Sequence, residues 1–92
     1  MDYNFRWRAD GNDHAFEHGI SCEECEYVVR HARRPYPRRI GDDKWQVWGQ
    51  TAFGEYVQVV YVEDPPPRDT VYVIHARVLE EAEKRLYRRT RR

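Results

Sequence analysis

Three runs decide the fold: KWQVWGQT (Lys44 to Thr51), EYVQVVYVE (Glu55 to Glu63) and TVYVIH (Thr70 to His75). Each is rich in Val, Tyr and Trp, side chains that suit a pleated, half-buried surface. Phe53-Gly54 separates the first two and Pro65-Pro66-Pro67 the last two, so together they read as an antiparallel meander. Tyr56 to Val62 carries apolar residues on both faces, which places the middle strand at the centre of the sheet.

Upstream, Arg33-Arg34-Pro35-Tyr36-Pro37-Arg38-Arg39 reads as a loop, because each proline restricts itself and the residue before it. Before that loop, Ser21 followed three residues later by Glu24 is the pattern of a capping box. Cys22, Cys25, Val28, Val29 and Ala32 then share one helical face, so a helix should run to about His31. A short helical segment around His14 to His18 should stop at Gly19. Tyr3, Phe5 and Trp7 alternate with Asn4, Arg6 and Arg8, the period of a first strand. Downstream of the meander, Val78, Leu79, Ala82 and Leu86 form the stripe of a last helix, with residues 88–92 as a flexible basic tail. The expected order is β-α-α-β-β-β-α: an α+β fold, one small domain over residues 1–92, with an antiparallel sheet, two N-terminal helices and one C-terminal helix.

The 92 residues are too few for more than one domain, and thirteen aromatics supply much of a thin core. Sixteen Lys and Arg balance sixteen Asp and Glu, which excludes a uniformly basic coat protein and an acidic tail protein. No apolar run approaches the roughly 20 residues that span a bilayer, and Met1 to Asp10 has no signal-peptide core. Two cysteines three apart are no disulfide framework. The expectation is a cytoplasmic protein with reduced thiols and no membrane partner.

Zero net charge hides segregation. Eleven of the sixteen basic residues lie in Val28 to Arg39 and Lys84 to Arg92, two windows without an acid. Arginine offers a planar fork for phosphate, and Tyr36 inside the loop offers a ring for base stacking. Arg33, Arg34, Tyr36, Arg38 and Arg39, with Lys44 just beyond, are therefore the candidate RNA-binding residues. A solvated loop, or docking to an acidic partner protein, would use the same residues.

His14, His18, Cys22 and Cys25 form H-x3-H-x3-C-x2-C, a conceivable zinc pattern. Gly19 and Ser21 break its helical continuity and the cysteines fill an apolar face, so neither a metal nor a cofactor is expected. Metal-independent RNA cleavage needs a base, an acid and positive charge at the phosphorane. His14, His18, His75, Arg77, Tyr61 and Tyr87 carry those chemistries, with histidine the natural proton carrier near neutral pH. The structural alternative has His18 packed beside Gly19 and Arg77 paired with a helix acid such as Glu81.

Phe5-x-Trp7, His14-x3-His18-Gly19-Ile20, Glu23-Glu24-x-Glu26, Gly49-Gln50-Thr51-x2-Gly54-x-Tyr56, Val59-Val60-Tyr61 and Ile74-His75-Ala76-Arg77 with Glu83 and Tyr87 occur in this order. Over Phe5 to Tyr87 the chain resembles the BrnT-type toxins, the ribonucleases of type II toxin-antitoxin modules. The resemblance implies a RelE-like fold, metal-free cleavage of messenger RNA that inhibits translation, and neutralisation by a cognate antitoxin in a heterocomplex. Carried over by position, it makes His18, Arg77 and Tyr87 catalytic, with His14 matching one branch of the family. The chain departs from the family at His75, where Ser or Thr is common, at Arg8, where an acid is common, and at Asp42-x-Lys44, where Glu-x-Arg is frequent. A catalytically inactive module that binds through the arginine loop is the alternative.

Overall fold

The expected meander forms the middle of a five-stranded sheet. The computed structural model describes residues 4–6, 20–63 and 70–90. Its elements are β1 (Asn4–Arg6), α1 (Cys22–Arg30), β2 (Arg38–Gly41), β3 (Lys44–Gln50), β4 (Tyr56–Glu63), β5 (Thr70–Val78) and α2 (Glu81–Thr90). The strands lie in the order β1-β5-β4-β3-β2, with β4 central as its two apolar faces required. From β2 to β5 each strand pairs antiparallel with its neighbour, whereas β1 pairs parallel with β5, aligning Phe5 with Val71. The domain is α+β.

Four features differ from the sequence expectation. The arginine loop ends at Pro37: Arg38 and Arg39 enter β2 and pair with Gln46 and Trp45. Pro37 restricts nothing after itself, and a turn at Asp42-Asp43, with Asp43 at φ 60°, folds β2 back on β3. All four β2 residues are exposed, and its arginines blunt a free sheet edge. β5 continues past His75 because Arg77 and Val78 still pair with Gln58 and Val57, so Val78 leaves the predicted helical stripe. α2 continues through Thr90, which makes Arg88 and Arg89 helical where a tail was expected. Finally, the described residues hold two helices rather than three, and the segment His14 to His18 lies outside them.

Strand alternation divides the sheet into two faces. Val47, Gly49, Val57, Val59 and Ala76 share the face that receives α1, and all are buried. At Gly49 an added Cβ would lie 3.1 Å from Val28 Cγ1, so the absent side chain sets how closely α1 approaches. α1 contributes Cys25, Val28 and Val29 to this core, and burial pushes the Cys25 thiol up to about 12, a packed apolar group rather than a nucleophile. The predicted capping box is present: Ser21 Oγ accepts from the Glu24 amide at 3.1 Å, and Glu24 Oε1 accepts from the Ser21 amide at 2.9 Å. Ser21→Ala is expected to cost about 1 kcal/mol. A shifted urea midpoint with an unchanged slope would show it.

The opposite face carries Gln46, Trp48, Tyr56, Gln58 and Arg77 and receives Tyr36 and α2. The predicted stripe of α2 is rotated. Leu86 is 51 % exposed and Ala82 is exposed, whereas Leu79 and Tyr87 are buried. The large Tyr87 ring and the Glu83 carboxylate choose the inward direction, because each meets a partner on the sheet and the smaller apolar groups do not.

Candidate nucleic-acid interface

Tyr36 is buried, with its ring stacked 6.0 Å from Trp48 and tilted by 40° at 6.2 Å from Tyr87. Tyr87 in turn meets Tyr56 edge-on at 5.9 Å. A cation caps each end of this row: the Arg38 guanidinium lies 5.5 Å from the Tyr36 centroid, and that of Arg88 lies 5.1 Å from the Tyr56 centroid. Thus three tyrosines join Arg38, from the first acid-free window, to Arg88, from the second. Arg33, Arg34, Arg39, Arg85 and Arg89 are exposed and make no ion pair among the described residues, with Arg39 opposite Trp45 and so on the other face of β2 from Arg38.

Two expectations for this surface change. Tyr36 cannot offer its face to a base, since burial encloses the ring and pushes its phenol up against the pull of Arg38. It anchors residues 32–37 to the sheet instead. Lys44 begins β3 two residues before Gln46, the partner of Arg38, but it is exposed and makes no ring or ion-pair contact among the described residues, so it does not join the row.

Arg77 occupies the centre of a second network. Its Nη1 and Nη2 donate to Glu83 Oε1 and Oε2, both at 2.7 Å, in a bidentate pair. Nη2 also donates to Gln58 Oε1 at 3.3 Å, an atom that accepts from Gln46 Nε2 at 2.8 Å and Trp48 Nε1 at 2.9 Å. The Arg77 hydrogen bonds, with help from the Glu80 amide and against partial burial, pull the Glu83 carboxyl down to about 2. The fork expected to hold phosphate therefore holds Glu83, and the helix partner is Glu83 rather than Glu81, which pairs with Lys84. Glu83 lies on the inward side of α2 with Tyr87.

A cleft of about 440 Å3 opens where the end of α1 meets the β3–β4 turn, lined by Tyr27, His31, Arg33, Gln50 and Tyr87 among others. The rings of Tyr27 and His31 stack at 4.1 Å with a 22° tilt. His31 Nδ1 donates to the Tyr27 carbonyl at 2.8 Å, so the neutral ring keeps Nε2 as an acceptor. Gln50 Nε2 donates to the Gly54 carbonyl at 3.0 Å, which fixes the amide and leaves Oε1 to accept. His31 was not among the histidines singled out from sequence. Its signal was the four-residue spacing from Tyr27 at the end of a predicted helix.

Of the expected catalytic set, Arg77 and Tyr87 are on facing elements, with Tyr87 buried and lining the cleft. His14 and His18 lie outside the described residues. His75 is half-buried opposite Val60 on β5, and Tyr61 is in the core.

No family model, curated protein or solved structure matches this chain. Among the described residues, no helix is long and apolar enough to cross a membrane.

Proposed function

We propose that the protein is a metal-independent endoribonuclease toxin that grips single-stranded messenger RNA along the row from Arg38 to Arg88 and is neutralised by a cognate antitoxin in the cytoplasm. The observation that carries RNA binding is the union of the two acid-free arginine windows across Tyr36, Tyr87 and Tyr56. Unpaired guanidinium groups along one surface are what a phosphate backbone requires. Support for cleavage is the resemblance to the BrnT-type toxins and the chemistry of histidine and tyrosine. The RelE-like assignment belongs to the same proposal.

A second reading is favoured by one contact. Glu83 fills the Arg77 fork, as it would in a protein that binds RNA or an acidic partner and cuts nothing. The two readings separate in one assay. Wild-type protein is expected to degrade RNA in EDTA and to arrest growth when produced without its genetic neighbours, and His18→Ala should remove both effects. Binding without cleavage selects the second reading. Arg38→Ala and Arg88→Ala should each weaken RNA binding and reduce its salt slope by about 0.7 per lost phosphate contact. No RNA binding at any salt concentration overturns the RNA reading altogether.

A further inference from the structure

We infer that the cleft between the end of α1, the β3–β4 turn and Tyr87 receives a single amino-bearing purine base, guanine above all, from the strand held on the arginine row. The inference rests on that row being the RNA surface and adds a base-reading site to it. Size permits it: about 440 Å3 falls within the range of pockets that take a small organic ligand. Position favours it as well. Tyr87 belongs to the tyrosine row and also lines the cleft, and Arg33 begins the exposed arginines at its border. A strand following the row thus passes the cleft, where one nucleotide can turn its base inward.

The lining has the chemistry of a base site. Tyr27 and His31 already form a two-ring stack, and Tyr27 is 37 % exposed, so a purine can extend that stack at no cost in core packing. The polar groups then discriminate. The neutral His31 ring accepts at Nε2, because Nδ1 donates to the Tyr27 carbonyl, and Gln50 accepts at Oε1, because its Nε2 donates to the Gly54 carbonyl. Two acceptors ask for a base edge that donates, which guanine supplies through N1–H and its amino group. The Arg33 fork matches guanine O6 and N7. Uracil has no amino group and stacks weakly, so it fits worst.

The test uses fluorescence anisotropy with 2′-O-methyl oligouridine, which cannot be cut, and the same oligomer carrying one central guanosine. Wild type should bind the guanosine oligomer about tenfold more tightly, within the range of one stacked and hydrogen-bonded base. The double variant Tyr27→Ala/His31→Ala should bind both oligomers equally while keeping the wild-type salt slope, and Gln50→Ala should remove part of the preference. Arg38→Ala and Arg88→Ala should weaken both oligomers alike and leave the ratio intact. Equal binding of the two oligomers by wild type, or a preference that survives Tyr27→Ala/His31→Ala, overturns the cleft and leaves the row standing. Loss of all binding in wild type overturns both. Circular dichroism of each variant guards against misfolding, and the exposed positions of Tyr27 and His31 make retained folding the expected result.

Discussion

Glu83→Gln is expected to lower stability by about 2 kcal/mol at neutral pH and to flatten the acid limb of the stability curve. The native carboxyl sits at about 2, below its ordinary 4.5, because the Arg77 fork binds its charged form. Between those values the unfolded chain takes up the proton and the native chain does not, so unfolding gains from every step into acid. The contribution is complete above about pH 4.5, declines as pH falls toward 2, and is absent below. Full conversion of the shift would give about 3 kcal/mol, and partial solvent access at both side chains reduces it. Glutamine keeps the shape and cannot titrate. Urea midpoints at pH 7, 4 and 3 should therefore fall for wild type more steeply than for Glu83→Gln. Parallel pH profiles would show that the pair does not set the acid limb.

The same substitution reports on function, because it removes the charge and one of the two acceptors that face the Arg77 fork while Gln58 and the Val78 carbonyl still hold the guanidinium. If Arg77 can take phosphate, Glu83→Gln tightens RNA binding and steepens its salt dependence by about 0.7, one added contact on a single strand. Unchanged affinity and slope would restrict Arg77 to holding α2 on β5.

What the sequence made legible was local. Ser21 and Glu24 announce their helix because a capping box needs only four residues, and β3 and β4 announce themselves by β-branched and aromatic residues between turn signals. β2 was hidden because Pro35 and Pro37 dominate the stretch, while pairing of Arg38 and Arg39 depends on a partner strand that local pattern cannot show. The register of α2 failed for a related reason. A count of aliphatic residues selected Ala82 and Leu86, whereas Glu83 and Tyr87 face the sheet because Arg77, Tyr36 and Tyr56 are there to meet them. The candidate site was half legible: the two arginine windows were visible, but their union required the fold. Tyr36, read as a stacking ring on an open loop, turned out to be enclosed, and His31, passed over, lies on the cleft.

Tyr87 bears the largest single expectation, since it serves the packing of α2, the tyrosine row and the cleft at once. Tyr87→Ala removes a ring that is only 4 % exposed and touches Tyr36 and Tyr56, and should cost about 3 to 4 kcal/mol. α2 has little to replace it: Leu79 precedes the helix, Ala82 and Leu86 face solvent, and Glu83 alone continues to hold Arg77. Amide exchange should therefore lose protection in residues 81–90 before it does in β4. Tyr87→Phe separates the ring from the hydroxyl. It preserves the aromatic contacts, costs about 1 kcal/mol at most, and should leave RNA binding and its salt slope at wild-type values. If the hydroxyl delivers the proton to the leaving 5′-oxygen, RNA cleavage in EDTA falls about a hundredfold in Tyr87→Phe, the scale of one lost general acid. Full cleavage in that variant would remove Tyr87 from the chemistry, leaving its ring as the anchor that holds the two arginine windows side by side.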